Sequence, residues 1–242
     1  MNIIKLNATE STNQYLKDLG KKLDLENFTI VCADKQTKGK GQMGATWFSE
    51  AGKNLTMSIL VKDLIVKNSQ IFDLNVVVAC SIFNVLKSLN IANLSIKWPN
   101  DMMAGNKKIG GILIENSITS ARIVSIVGIG INVNQHDFIG LPQASSLHNV
   151  THSEFDVQQL MLLMGTEIEK NCRMITQETV KNFWTIYHEN LFKKNVPMVF
   201  ENVLGSRFNG MIQKVEDNGQ LTIMLEDDRF AGFGVKEVKM LY

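Results

Sequence analysis

The hydrophobic pattern of the sequence changes near Lys193-Lys194-Asn195, and this change is the strongest constraint on the fold. Before it, apolar residues at helical spacing, as in residues 12–23 and 70–89, alternate with short β-type runs. After it, short β-type runs follow one another and are separated by turn residues. We therefore predict a mixed α+β domain over residues 1–192 and a small, barrel-like β domain over residues 193–242.

The composition excludes several classes of partner. The net charge is +1, so no global field attracts DNA, and any anion site must be local. No apolar run approaches the roughly 18 residues of a membrane helix, and the first residues do not resemble a signal peptide. Cys32, Cys80 and Cys172 are odd in number and far apart, which indicates buried free thiols in a reducing compartment. We predict a cytoplasmic protein without a membrane partner.

Residues 39–44 read G-K-G-Q-M-G, which matches the G-x-G-x-x-G pattern of dinucleotide-binding turns. Such a turn must open a helix, yet a β-type run follows, and no Gly-Lys-Ser/Thr sequence closes a Walker loop. Both common nucleotide motifs are therefore excluded. The glycines and the neighbouring Lys38, Lys40 and Lys53 predict backbone amides that converge on an anion, with Trp47 as a flat surface beside them. A mobile surface loop with solvated lysines is the alternative.

Three further segments have the composition of a binding site. Lys97 to Asp101 ends a β-type run, and Asp101 is a lone carboxylate of the kind that holds magnesium together with waters. Lys107 to Glu115 is an apolar run with two lysines at its start and paired glycines, which indicates either a ligand site or a protected edge strand. In Gly128 to Asn134 the glycines predict either a slot for a flat ligand or tight helix packing.

These parts suit one kind of chemistry. Amides and lysines can hold phosphate groups, and positioning with electrostatic stabilisation supplies most of the catalysis of phosphoryl and nucleotidyl transfer. No Ser-His-Asp set, cysteine nucleophile motif or paired carboxylate site stands out in the sequence.

Taken together, the motifs resemble those of biotin protein ligases. The resemblance rests on Ser11 to Gln14, the glycine loop with Trp47, Gly52 to Leu55, Lys97 to Asp101, Lys108 to Glu115, Gly128 to Asn134 and Leu141 to Leu147. It implies a mixed sheet flanked by helices, like that of class II aminoacyl-tRNA synthetases and biotin ligases, and a small C-terminal SH3-like β-barrel. It also implies a monofunctional ligase, because no winged helix precedes the matching region, so DNA is not expected as a partner. The sequence leaves monomer and homodimer both open.

The resemblance implies a two-step reaction that uses ATP, Mg²⁺ and biotin. Biotin would be activated to biotinyl-5′-AMP and then transferred to a lysine of a biotin carboxyl carrier protein or domain. The implied biotin-binding residues are Ser11, Thr12, Gln36, Gly39, Lys40, Lys108 and Gly111, and the implied catalytic residues are Lys108, Lys40 and Asp101. The implied adenylate-binding residues are Gln42, Trp47 and Asn132, and Asp101 is the implied metal ligand.

The glycine loop departs from the family pattern. Family members commonly have G-R-G-R-x-G-R, whereas the arginine positions of this chain are Lys40, Gln42 and Ala45. Lysine keeps the charge but loses the bidentate geometry of arginine, and glutamine cannot neutralise a phosphate. Two other functions therefore remain in view, a lipoate or octanoate protein ligase and a non-catalytic biotin-binding protein.

Overall fold

The computed structural model describes residues 1–64, 71–119 and 122–242, which form two β-sheets and the helices packed on them. The strands are β1 (Ile3–Thr9), β2 (Ile30–Gln36), β3 (Leu55–Lys62), β4 (Leu94–Lys97), β5 (Asp101–Ala104), β6 (Lys107–Ile118), β7 (Ile123–Ile131), β8 (Pro197–Asn202), β9 (Arg207–Val215), β10 (Leu221–Leu225), β11 (Phe230–Phe233) and β12 (Val238–Leu241). The helices are α1 (Thr12–Lys22), α2 (Ile71–Ser88), α3 (Leu147–Thr151), α4 (Val157–Arg173) and α5 (Thr179–Glu189).

The larger sheet has the order β1-β2-β3-β7-β6-β5-β4, with β1 and β2 parallel and the other neighbours antiparallel. Side chains that alternate along a strand point to opposite faces. Accordingly, Leu60 and Ile126 pack under α1, while Ile59 and Val127 belong to the core beneath α2 and α4. The predicted mixed sheet flanked by helices is confirmed.

Two strands of this sheet were not predicted. β1 precedes the first predicted helix, and β5 falls in a segment whose Asn100 and Asp101 favour a turn. The connection at Ala104 to Asn106 therefore joins β5 to β6, rather than β4 to β6 as predicted, and Gly105 has the positive φ of 58° that this turn needs.

The core helix α2 is long and apolar enough to span a membrane, but 67% of it is buried inside the protein. It packs against α4, α5 and β4, so its composition is explained by the core. Burial raises the pKa of the Cys80 and Cys172 thiols to about 12, which keeps both protonated at neutral pH. Cys32 is only half-buried, so the prediction of a buried thiol is wrong at this position.

The smaller sheet is antiparallel, with the order β11-β10-β9-β8-β12. The predicted unit is all-β, but β11 and β12 lie at opposite edges, and the sheet is not closed as a barrel. Each of these strands has only four residues, and the turn between them is held by a hydrogen bond from the Gly234 N–H to Glu237. This turn carries the chain from one edge of the sheet to the other.

The two sheets share one hydrophobic cluster. The Trp98 indole N–H donates to the Gly219 carbonyl at 2.9 Å, and a Cβ at Gly219 would collide with the Phe72 ring. Ile96 of β4 also forms a backbone bridge with Leu191, close to the predicted boundary. The division of the chain at residue 193 stays a prediction.

Candidate active site

A cavity of about 210 Å³ lies where the start of α1 and the glycine loop meet β5, β6 and β7. Nine of the eleven residues implied by the resemblance line it, namely Ser11, Thr12, Gln36, Lys40, Gln42, Trp47, Asp101, Lys108 and Gly111. They come from segments up to a hundred residues apart, so the fold has gathered them. Gly39 and Asn132 do not line this cavity.

Two rows of residues across the sheet form the floor of the cavity. In the first row, Asp101 of β5 pairs with Gly111 of β6, which pairs with Gly130 of β7. In the second row, Leu113 of β6 pairs with Gly128 of β7, which pairs with Ser58 of β3. Because the rows are two residues apart on each shared strand, they face the same side of the sheet. The glycines lower the floor between the larger side chains.

The glycines of β7 serve both functions that the sequence left open. A Cβ at Gly128 would collide with the Asn13 side chain of α1, which is tight helix packing. A Cβ at Gly130 would lie 2.6 Å from two ring carbons of Trp47, so this glycine makes room for the indole above the floor. Gly128 thus allows α1 to pack closely on the sheet, whereas Gly130 allows the Trp47 ring to lie against the floor of the cavity.

The glycine loop is folded back on itself. The Gly41 N–H donates to the Ala45 carbonyl at 2.7 Å, and the Trp47 N–H donates to the Gly39 carbonyl at 2.9 Å. The Gly41 amide is therefore not free to bind an anion, and the predicted set of converging amides is wrong at this residue. The short 3₁₀ turn Gln42–Gly44 replaces the helix that a dinucleotide site requires.

Among the three lysines near the loop, only Lys40 lines the cavity. Lys38 forms an exposed ion pair with Glu10 at 2.7 Å, and Lys53 is exposed at the surface. Gly39 is buried below the loop, where a Cβ would collide with the Trp47 carbonyl and approach Gln36 Nε2 to 3.3 Å. Its place in the structure is to anchor the loop.

An ion pair stands at one end of the cavity. Lys108 Nζ lies 2.6 Å from Asp101 Oδ1, and Lys97 Nζ lies 3.9 Å from Asp101 Oδ2. The Asp101 side chain is only 14% exposed, so water screens these charges weakly. Two ammonium groups share one carboxylate, and this end of the cavity therefore carries a net positive charge that suits an anionic group.

The opposite end of the cavity is polar and uncharged. The Thr12 N–H donates to Gln36 Oε1 at 2.8 Å, and Thr12 Oγ1 lies 2.7 Å from Ser58 Oγ. Ser11 is the N-cap residue of α1, but its side chain makes no capping hydrogen bond. These groups can form directional hydrogen bonds with a neutral polar ligand.

A second cavity of about 300 Å³ shares Thr46, Trp47 and Lys108 with the first. Asn132 lines it, and its Nδ2 donates to the Ser145 carbonyl at 2.9 Å, which holds the 141–147 segment in place. Within the described part of the chain, the buried Trp47 indole N–H has no acceptor. A planar group that bridges the two cavities would find an aromatic wall and a free donor here.

A magnesium ion at this site would need ligands from phosphate groups and water in addition to the protein. The described residues contain no group of three or more His, Cys, Asp or Glu side chains that could hold a metal. Magnesium bound to a triphosphate needs only one or two protein carboxylates, since phosphates and waters complete its shell. Asp101 fits that limited role, and the described residues do not form a resident metal centre.

Two residues near the cavity were not predicted from the sequence. Ser58 is fully buried beside Thr12, and Glu115 is reached from the cavity through Asn13. A serine and a glutamate within strands carry no signal of their own. Their significance depends on the sheet register, which the sequence does not display.

The packing of Asn13 against Gly128 leads to a stability prediction. We expect Gly128→Ala to lower the free energy of unfolding by about 1–3 kcal/mol, because the added methyl group displaces a buried amide with several hydrogen bonds. Urea denaturation would measure the change. Gly20→Ala in α1 is the matched control, since its Cβ meets nothing closer than 3.9 Å and alanine favours a helix. Equal stabilities for the Gly128→Ala protein and the unmodified protein would contradict the packing argument.

This fold and site define a protein with a cavity that is neutral and polar at one end and positively charged at the other. Residues 6–134, more than half of the chain, match the Biotin/lipoate A/B protein ligase family, and the chain belongs to this family.

The comparisons with individual proteins agree with that assignment. The chain is 38% identical over 109 residues to the bifunctional ligase/repressor BirA of Bacillus spizizenii, which covers 44% of the chain and 33% of that relative. It is 29% identical over 143 residues to the biotin–[acetyl-CoA-carboxylase] ligase of Mycobacterium tuberculosis, covering 58% of the chain and 52% of the relative. The chain thus spans between about a third and a half of these relatives in the aligned regions.

The solved structures match over a greater length. The biotin protein ligase of Aquifex aeolicus in complex with biotin and ATP superposes with a TM-score of 0.81 at 25% identity, over 99% of this chain and 98% of that one. A biotin protein ligase-like protein of unknown function from a Silicibacter species has a TM-score of 0.69 at 10% identity, which shows the shared fold alone.

Proposed function

We propose that the chain is a biotin protein ligase. In the first step, the biotin carboxylate attacks the α-phosphorus of Mg-ATP, which forms biotinyl-5′-AMP and expels pyrophosphate. In the second step, a lysine amine of a biotin carboxyl carrier domain attacks the mixed anhydride and expels AMP. The observation that carries the proposal is one cavity with the neutral polar Thr12 and Gln36 at one end and the Lys108–Asp101 pair at the other.

The polar end suits the ring system of biotin and the charged end suits its carboxylate. Ser11, Thr12, Gln36, Lys40 and Gly111 are proposed to hold biotin, with Gly39 below them as the anchor of the loop. Lys108 would stabilise the negative charge that develops on the reacting carboxylate and phosphate, because an ammonium group fixed in place needs no reorganisation. Asp101 would hold Lys108 in position and contact the magnesium of Mg-ATP.

The adenylate part of the intermediate is proposed to lie against the aromatic wall. Trp47 would shield it, and the free indole N–H offers a donor. Asn132 would contact adenine from the second cavity, although one of its amide protons already binds Ser145. The free cysteines are consistent with the proposed cytoplasmic location.

Pyrophosphate release is the test of the activity. We expect release that depends on biotin, ATP and magnesium together, followed by labelling of a biotin carboxyl carrier domain. The same assays with lipoic and octanoic acids test the related ligase activity that the family also includes. Binding of biotin without any pyrophosphate release would favour a non-catalytic binder, and labelling with lipoate alone would overturn the proposal.

Gln42 has a predicted effect on retention of the intermediate. It lines the cavity and also a neighbouring groove that contains Lys97, Lys236 and Lys239. Because glutamine cannot neutralise a phosphate, we expect Gln42→Arg to slow dissociation of biotinyl-5′-AMP about tenfold, as measured by stopped-flow chase. Met43→Arg is the control. Met43 is exposed, so this substitution adds the same positive charge outside the cavity. Equal dissociation rates for all three proteins would count against the idea.

A further inference from the structure

A buried glutamine lies between the two loops that line the second cavity. The first loop contributes Thr46 to Phe48, which follow the glycine loop, and the second contributes most of residues 138–144, which follow β7. Gln135 is only 8% exposed, although glutamines are mostly exposed in proteins. It lines neither the first nor the second cavity. Its role must therefore be sought in its hydrogen bonds.

The side chain of Gln135 makes hydrogen bonds in the direction of both loops. Its Oε1 accepts the Glu50 N–H at 3.1 Å and also accepts from Asn54 Nδ2 at 2.6 Å. Its Nε2 donates to the Asp137 carbonyl at 2.7 Å. This amide cannot be turned round, because the Glu50 N–H can only donate and the Asp137 carbonyl can only accept. The backbone on both sides therefore fixes its orientation.

Asn54 holds Gln135 in this position. It is 3% exposed, and its Oδ1 accepts the Val133 N–H at 3.0 Å, which directs its Nδ2 towards Gln135. The pairing of β3 with β7 ends at Leu55 and Ile131, so the Asn54 side chain continues the contact between the two chain segments beyond the last backbone pair. Asn54 and Gln135 thus form a pair of amides, each oriented by a backbone N–H.

The end of β7 is also held by backbone hydrogen bonds that do not involve this pair. The Asn132 N–H donates to the Ile109 carbonyl at 2.8 Å, and the Asn134 N–H donates to the Lys53 carbonyl at 2.7 Å. These bonds remain if Gln135 is replaced. Asn132 should then keep its place in the second cavity, and any effect of the replacement must come from the two loops.

The segment that carries Trp47 depends more directly on Gln135. Among the described residues, the hydrogen bond from the Glu50 N–H to Gln135 is the one that connects residues 45–50 with residues 132–144. Loops that are held in place before a ligand binds need not be ordered by it, and this saving in conformational entropy increases affinity. The bond to Gln135 therefore preorganises the second cavity for its ligand.

We infer that Gln135 is a positioning residue for the nucleotide, which together with Asn54 holds the Trp47 segment beside the loop that follows β7. The inference rests on the proposed function, in which the adenylate lies against Trp47 and Asn132 contacts adenine. Neither Gln135 nor Asn54 lines the first or the second cavity, so both act through the residues that do. Biotin should depend on them much less, because α1, β2 and the middle of β3 build the polar end of the first cavity.

The test compares the KM for ATP with the affinity for biotin in the full chain. Gln135→Met preserves the length of the side chain but removes its hydrogen bonds, and we expect it to raise the KM for ATP about tenfold, the effect of one buried hydrogen bond of ordinary strength. The Kd for biotin, measured by isothermal titration calorimetry, should stay within about twofold. Gln159→Met is the matched control, because Gln159 is exposed on α4 and lines neither cavity.

Asn54→Asp tests the same pair without a change in side-chain size. The carboxylate still accepts the Val133 N–H but has no proton to donate to Gln135, so the Gln135 amide loses the donor that holds it. We expect the KM for ATP to rise as in Gln135→Met. The double variant should show little further change, because the two residues act together. This variant also decides the question if Gln135→Met folds poorly.

Amide hydrogen exchange separates positioning from a general loss of stability. In Gln135→Met, faster exchange should be confined to residues 45–50 and 136–144, because the backbone bonds of the sheet remain. Faster exchange throughout the sheet, or equal losses of affinity for ATP and biotin, would indicate a structural role only and would overturn the inference. An unchanged KM for ATP in both variants would also overturn it. If the unmodified protein releases no pyrophosphate with biotin, the proposed function itself fails, and hydrogen exchange still decides whether Gln135 orders the two loops.

Discussion

Replacing Lys108 with alanine should slow biotin-dependent pyrophosphate release by about a hundredfold or more. The ammonium group lies 2.6 Å from Asp101 and faces the charged end of the cavity, so it is fixed where negative charge would develop. Removal of one preorganised donor of this kind typically costs a factor of about 10²–10³ in rate. A continuous assay of pyrophosphate at saturating biotin and ATP measures the effect.

The Lys108→Ala protein should remain folded. Asp101 keeps Lys97 as a neighbour, with 3.9 Å between its Oδ2 and the Lys97 ammonium, so the carboxylate is not left without a counter-charge. Lys35→Ala is the matched control, because Lys35 is exposed next to Gln36 but does not line the cavity. Near-normal turnover in Lys108→Ala would remove Lys108 from the reaction.

Replacing Gly130 with alanine should raise the KM for ATP about thirtyfold. The new methyl group would lie 2.6 Å from two carbons of the Trp47 indole, so the ring must leave the cavity wall. Buried tryptophans at binding sites commonly contribute about 2 kcal/mol or more, which corresponds to this change in affinity. Initial-rate kinetics with varied ATP, together with thermal denaturation, would measure the effect and check the fold.

A double-mutant cycle shows whether Gly130 acts through Trp47. If the methyl group only displaces the indole, Gly130→Ala should have little further effect in a Trp47→Ala background. Additive effects of the two substitutions would mean that Gly130 affects ATP by another route, such as a distortion of β7.

Most of the strands and the local motifs could be read from the sequence, because they depend on neighbouring residues, whereas β1, β5, β11 and β12 were not predicted. β3 and β7 are apolar runs bounded by turn residues, and α2 is a long apolar segment, so all three were predicted. β1 and β5 were missed because they are held in the sheet by pairing with other strands. β5 has four residues and begins at Asp101, and its pairing with β4 and β6 outweighs the local preference for a turn.

The site residues were identified from the resemblance to biotin protein ligases and not from their spacing along the chain. Thr12, Lys40 and Lys108 belong to α1, the glycine loop and β6, and nothing in their intervals along the chain predicts that they share a cavity. Asn132 shows the limit of assigning site residues by resemblance. It lines the second cavity rather than the first, and its side-chain amide already donates a hydrogen bond to the Ser145 carbonyl.

The sequence by itself determined the change of hydrophobic pattern near residue 193 and the exclusion of a dinucleotide turn at residues 39–44. It also determined which polar and charged groups are available to a charged ligand. The tertiary structure alone decided which hydroxyl and amide groups lie within hydrogen-bonding distance of one another. That decision depends on the register that sets Ser58, Gly128 and Leu113 side by side on three strands beneath Asn13. A hydrogen bond forms only once both partners are in place, and these partners are brought together across more than a hundred residues of chain by the pairing of the sheet.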